Sequence, residues 1–317
     1  MNKFLKYLFL FSIPFILLFT TIAYLDPYNF FHSPEGRETL KLDNGWLSYT
    51  VDYRNNKYSK IIFGSSRPNV IKPKNIPEKD WCKLSFGGAT IPEYLKAFWF
   101  VAEYGKVKKV IIMTDVYGYL YSFGSSTARF DSKVDLIKHP YKYFTSSLVL
   151  ESVYEYFKEK LTEKQESYQK FDDAQWQSEL DEGKNRSIIK PSDPKELKMA
   201  INNITSQFKD VKEYCDKNNI EVKVVTPIIS AELYQVFMKY APDVYDMVLT
   251  DLVDVFGKVI DFGYPNDYTM NRANFKDPFH LKSDTVYINT LWGNDTNYCR
   301  IIDKSNLKEI LNSKLTY

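Results

Sequence analysis

The stretch KIIFGSSRPN, residues 60–69, joins three apolar residues, Ile61, Ile62 and Phe63, to Gly64, Ser65, Ser66 and Arg67. A short apolar run bounded by turn residues predicts a strand buried on both faces. Such strands belong to parallel sheets. A strand ending in Gly-Ser-Ser is open to two readings: a plain turn, or a serine held at the carboxyl edge of a sheet.

The flanking segments favour the sheet. IPEKDWCKLSFGGAT (76–90) carries a short apolar stretch from Trp81 to Phe86 and a Gly87-Gly88 turn. IPEYLKAFWFVAEYG (91–105) repeats apolar residues at helical spacing and ends on a glycine suited to a C-cap. VKKVIIMTDVYG (107–118) holds another buried strand, Val110–Thr114. Residues 59–115 therefore read strand, turn, strand, helix, strand, which predicts an α/β sheet with parallel strands. The same pattern resumes after about residue 195. There, a long amphipathic helix with Asp193 as cap and Pro194 in its first turn precedes the strand in IEVKVVTPI and a last strand in KVIDFG. Between them, residues 118–195 are aromatic, then strongly charged. They read as an insertion carried above the sheet, with one helix near 147–161.

The N-terminus has a separate character. Lys3 and Lys6 precede an uncharged run from Tyr7 to Leu25. Its 19 residues approach the ~20 that span a bilayer as a helix. The run exceeds the ~7–15 residues of a cleaved signal core, so an uncleaved signal anchor is expected. The two lysines predict a cytoplasmic N-terminus and an outward-facing remainder. The expected organisation is an anchor at 1–26, a linker at 27–58, and an α/β domain at 59–317 with its insertion at 118–195.

Composition narrows the function. A net charge of +2 gives no reason to expect a nucleic-acid partner. Cys82, Cys215 and Cys299 form no C-x-x-C pair, so a thiolate metal site is not expected. Their odd number leaves at least one free thiol or an intermolecular bond. The 25 tyrosines suit a sugar or polymer cleft as well as they suit a core.

NRANFKDPFHLKSD (271–284) sets Asp277 three residues before His280. On one turn, that spacing brings carboxylate and imidazole to the same side. The carboxylate would fix the His280 tautomer, and His280 would take a proton from a serine. Ser66, Asp277 and His280 are the candidate nucleophile, acid and base. The Ser66 N–H and Gly88 are candidate oxyanion donors. Arg67 either binds an anionic substrate group or caps the next segment. Asp115 either holds the wall of the site or ends a strand.

The order IIFGSSR, SFGGAT, VIIMTD, DPFH resembles the SGNH (GDSL-like) hydrolase superfamily over about residues 55–290. It is most similar to the membrane-anchored, extracytoplasmic branches that include lipoteichoic acid D-alanylation and alginate O-acetylation proteins. The resemblance implies a three-layer α/β/α, flavodoxin-like domain. It puts the nucleophile on Ser66, an oxyanion glycine on Gly88, and the acid and base on Asp277 and His280. It also implies a serine acyl-esterase or O-acyltransferase for a cell-envelope glycopolymer, with no metal or organic cofactor. Its implied partners are that polymer, a membrane acyltransferase and the membrane itself, and its implied location is the cytoplasmic membrane with the domain outside. One block departs from the pattern. The asparagine that normally follows the third strand is absent, and Asp115 stands in its neighbourhood. A carboxylate there would repel an oxyanion. Two other functions therefore stay open: a catalytically degenerate binding or assembly protein of the same fold, and a tethered esterase for small esters.

Overall fold

A computed structural model describes residues 2–32, 45–56, 58–105, 107–162, 172–293 and 295–313. In chain order the helices and strands are α1 (Asn2–Leu25), α2 (Gly45–Asn56), β1 (Lys60–Gly64), β2 (Trp81–Ser85), α3 (Ile91–Tyr104), β3 (Lys109–Met113), α4 (Val116–Ser122), α5 (Ala128–Lys138), α6 (Ser147–Thr162), α7 (Asp173–Ile188), α8 (Pro194–Lys217), β4 (Glu221–Thr226), α9 (Ala231–Tyr240), α10 (Pro242–Phe256), β5 (Lys258–Asp261), α11 (Asp267–Met270), β6 (Phe275–Asp277), β7 (His280–Leu281), α12 (Thr285–Gly293), β8 (Arg300–Asp303) and α13 (Leu307–Asn312). The chain divides into two compact units, Met1–Asn55 with Asp131–Tyr168, and Asn56–Phe130 with Gln169–Tyr317.

The larger unit is built on a six-stranded sheet in the order β2-β1-β3-β4-β5-β8. All neighbours are parallel except β5 and β8. Ile61, Ile62 and Phe63 are fully buried, which is why β1 reads as an unbroken apolar run and not as an alternation. Strand order reverses between β1 and β3, where the connections leave in opposite directions and a crevice opens at the carboxyl ends. Gly64 answers the question of the opening stretch. A Cβ there would lie 2.7 Å from Pro68 Cγ and 3.0 Å from the Met113 carbonyl oxygen. Glycine lets Pro68 and the end of β3 approach the backbone of β1 this closely.

The expected strands and the α3 and α8 helices are present within a residue or two, and Asp193 caps α8 by accepting from the Lys195 N–H at 2.7 Å. Three features differ from the sequence reading. The antiparallel β8 and the β6–β7 hairpin were not foreseen, because both are too short to carry a period. Residues 118–122 continue α4 and so belong to the turn that follows β3. The charged tract beyond Asp172 forms α7, whose Trp176 indole N–H donates to Glu232 at 2.7 Å while Arg272 holds the same carboxylate at 2.7 Å.

The smaller unit contains α1, whose Lys3–Leu25 stretch is long and apolar enough to cross a membrane. Just beyond it, Asp26 is buried and accepts from the backbone N–H groups of Phe30, Phe31 and His32 and from the Tyr143 hydroxyl. Residues 27–32 and 45–56, read from sequence as linker, are thus a packed turn and a helix. Residues 33–44 and 57 of that stretch lie outside the described residues. All three cysteines are buried, and none forms a disulfide among the described residues.

Candidate active site

Ser66 lies two residues beyond the end of β1 and precedes a 3-10 turn, Arg67–Val70. A serine there could cap that turn, but its side chain makes no capping hydrogen bond. Its hydroxyl instead lies 2.7 Å from Nε2 of His280, 214 positions away. His280 opens β7, across the hairpin from Asp277. Both carboxylate oxygens of Asp277 lie 2.8 Å from His280 Nδ1. The Phe279 N–H also donates to Asp277 Oδ1 at 2.9 Å, which fixes the carboxylate inside the turn. A carboxylate accepts only, so Nδ1 carries the proton and Nε2 is left to accept from Ser66. The hairpin is docked by the Ser230 N–H donating to the Pro278 carbonyl at 2.9 Å and by Phe279 against Tyr117 at 4.7 Å between ring centroids.

Gly88 lines the same cleft as Ser66 and His280. Its φ of +64° is a conformation that favours glycine. Arg129 Nη2 donates to the Gly88 carbonyl at 2.6 Å and to Glu93 Oε2 at 2.6 Å, while Nε donates to Glu93 Oε1 at 2.9 Å. Glu93 is buried and takes the Thr90 N–H at 3.0 Å as the capping box of α3. The loop holding Gly88 is therefore tied to the start of α3 through two charged side chains.

Arg67 and Asp115 are buried against each other, with Nη2 2.7 Å from Oδ1. Asp115 also accepts from the Gly118 N–H at 2.8 Å, capping α4. Arg67 lines the cleft, whereas Asp115 lines a separate small pocket with Thr226, Tyr234 and Asp261 and not the cleft itself. Burial pushes the Asp115 carboxyl up, and Arg67 and the Gly118 N–H offset part of that. Both residues left open by the sequence are accounted for by this pair. Asp115 Oδ1 is committed to two donors, so its charge is partly spent away from the cleft.

The cleft has a volume of about 230 Å³. Its remaining wall was missed by the sequence reading and comes from α4 and α7. Tyr117 and Tyr121 stack with ring centroids 5.8 Å apart, and the Arg186 guanidinium sits over Tyr121 at 4.9 Å. Arg186 also pairs with Glu182 one turn earlier at 2.7 Å. Glu179 lines the cleft beside them. Partial burial, then the charge of Asp277, raise its carboxyl above the ordinary range, with His280 pulling the other way. Burial pushes the Tyr117 hydroxyl up to about 12, so it is neutral and able to donate near pH 7. The only sequence signals for this wall were aromatic residues at i, i+4 and charged ones at i, i+3, i+7, which more often mark an exposed helix face.

This constellation can activate a serine hydroxyl for attack on an acyl carbon and hold the resulting charge beside glycine-rich backbone. Compared with family models, curated proteins and solved structures, the chain matches none.

Proposed function

We propose that the protein is a membrane-anchored serine acyl-esterase or O-acyltransferase of the SGNH type, with a flavodoxin-like α/β/α domain, acting on acyl esters of a cell-envelope glycopolymer. The observation that carries this reading is the chain of contacts from Asp277 through His280 to Ser66, at 2.8 and 2.7 Å. Nucleophile, base and orienting acid within hydrogen-bond reach are the signature of an activated serine. The strand order around β1 and β3 supports the fold assignment.

In the proposed reaction Ser66 Oγ attacks the ester carbonyl carbon and its proton passes to His280 Nε2. Asp277 stabilises the imidazolium through Nδ1–H. The tetrahedral oxyanion is met by the backbone N–H groups of Ser66 and Gly88. As the carbon–oxygen bond breaks, Nε2 returns the proton to the leaving alkoxide, giving an acyl-serine. A water or a polymer hydroxyl then gives its proton to Nε2 and attacks the acyl carbon, and as the acyl–Oγ bond breaks Nε2 returns that proton to Ser66 Oγ. Ester exchange of this kind is balanced without metal or redox chemistry, and a membrane acyltransferase is a natural source of the acyl group.

Substrate class follows from the cleft. About 230 Å³ with tyrosine hydroxyls, Glu179, Glu182 and Arg186 on its walls suits a short acyl group on a polyhydroxylated chain better than a long lipid tail. Lys3 and Lys6 before the apolar run of α1 support an outward-facing site at the cytoplasmic membrane. The binding-protein reading draws on Asp115, which caps α4 where a third oxyanion donor is expected.

The purified protein should release acyl groups from an acylated envelope glycopolymer with a higher kcat/KM than from p-nitrophenyl acetate. Turnover of the small ester alone would favour the tethered small-ester esterase. Binding of the polymer with no turnover of either substrate would favour the degenerate binding protein.

A further inference from the structure

The smaller unit carries an aromatic surface that the proposed chemistry does not use. Tyr141 is 70% exposed, Tyr154 65% and Phe157 46%. Tyr154 and Phe157 are three apart on α6, so they share a side of that helix, while Val149, Ser152 and Val153 of the same helix are buried. A helix with one apolar side packed and a second aromatic side open has an unfilled partner.

The position of the neighbouring 3-10 turn along α1 points to the partner. Phe144 follows Tyr141 in the 3-10 turn Pro140–Thr145. Its ring centroid lies 5.6 Å from that of Phe19, and it stacks on Phe31 at 5.4 Å. Phe19 is inside the apolar stretch of α1, six residues before its end, or about 9 Å along the axis at ~1.5 Å per residue. A protein group that touches Phe19 sits at the depth of the headgroups and upper acyl chains whenever α1 crosses a bilayer. Tyrosine, with an apolar ring and a polar tip, is the residue enriched at that level.

We propose that the 3-10 turn Pro140–Thr145 and the Tyr154–Phe157 side of α6 form a collar beside α1 that inserts into the interfacial layer of the phospholipid bilayer. The collar holds the chain at a fixed depth in addition to the single helix. It rests on the reading of α1 as a membrane span.

The test uses the full-length chain in phospholipid vesicles, with single nitroxide labels at Phe9→Cys, Tyr141→Cys, Tyr154→Cys and Met199→Cys in a background lacking the three native cysteines. Phe9 lies in α1, and Met199, 68% exposed in the larger unit, serves as the aqueous control. The quantity read is the ratio of collisions with dissolved oxygen to collisions with a water-soluble nickel chelate. At 141 and 154 this ratio is expected to exceed that at 199 by roughly fivefold, and to stay below that at 9. A water-like ratio at 141 or 154, with a bilayer value at 9, overturns the collar and leaves the span intact. A water-like ratio at 9 overturns the span itself and the collar with it. Low collision with both reagents, or spin–spin broadening between copies labelled at 154, would assign the surface to a protein partner or a second copy and also overturn the proposal.

Discussion

Replacing Ser66 by alanine is expected to lower kcat/KM for ester hydrolysis by about 10⁴-fold or more. The fold should be unaffected, because the Ser66 side chain caps nothing and its hydroxyl is engaged by His280. His280→Ala should cost a similar factor, and the double variant no more than either single one, since nucleophile and base act as a unit. Asp277→Asn should be less severe, because it leaves the imidazole present but poorly oriented. Steady-state kinetics on an activated ester, alongside thermal unfolding of each variant, measure all four. Ser66→Ala activity within tenfold of the parent would remove serine catalysis from the account.

Asp115→Ala should be the most destabilising single change near the cleft, by about 3–5 kcal/mol, because it strands a buried guanidinium. Arg67 and Asp115 side chains are only 4% and 10% exposed, so water cannot replace the lost partner. The same change removes the cap of α4. At that size the thermal midpoint should fall by roughly 10 °C. Arg67→Met combined with Asp115→Leu should be less harmful than the two single changes added together, because no charge is then left unpaired. Asp115→Asn keeps an acceptor for the Gly118 N–H and should fall between the parent and Asp115→Ala. A shift of less than 2 °C for Asp115→Ala would contradict the structural role given to the pair.

The opening stretch was readable because each of its features has one dominant physical cause. Ile61–Phe63 are buried on both faces, and Gly64 has no room for a Cβ. The Asp277–His280 spacing was readable because a carboxylate and an imidazole so close in sequence meet in any tight turn, here a hairpin. The meeting of that hairpin with Ser66 followed from the α/β pattern, which gathers strand ends at one edge. Tyr117, Tyr121, Glu179 and Arg186 were not readable as cleft residues. Their spacing is that of any solvated helix face, and long-range contacts such as those of Trp176 with Glu232 and Phe275 bring α7 to the site. The pairing of Arg67 with Asp115 was likewise one of several options until the end of β1 and the start of α4 were seen side by side. In the smaller unit, the polar linker reading overlooked Asp26, a single buried carboxylate that organises three backbone N–H groups into a turn.

The central claim is that Ser66 is an activated nucleophile. Treatment of the full-length protein with a fluorophosphonate, followed by peptide mass spectrometry, tests it most directly. The account predicts one covalent adduct, on Ser66, formed by the parent and lost in His280→Ala, which keeps the serine but removes its base. No adduct on the folded parent protein, or an adduct on Ser66 that forms equally fast without His280, would contradict it.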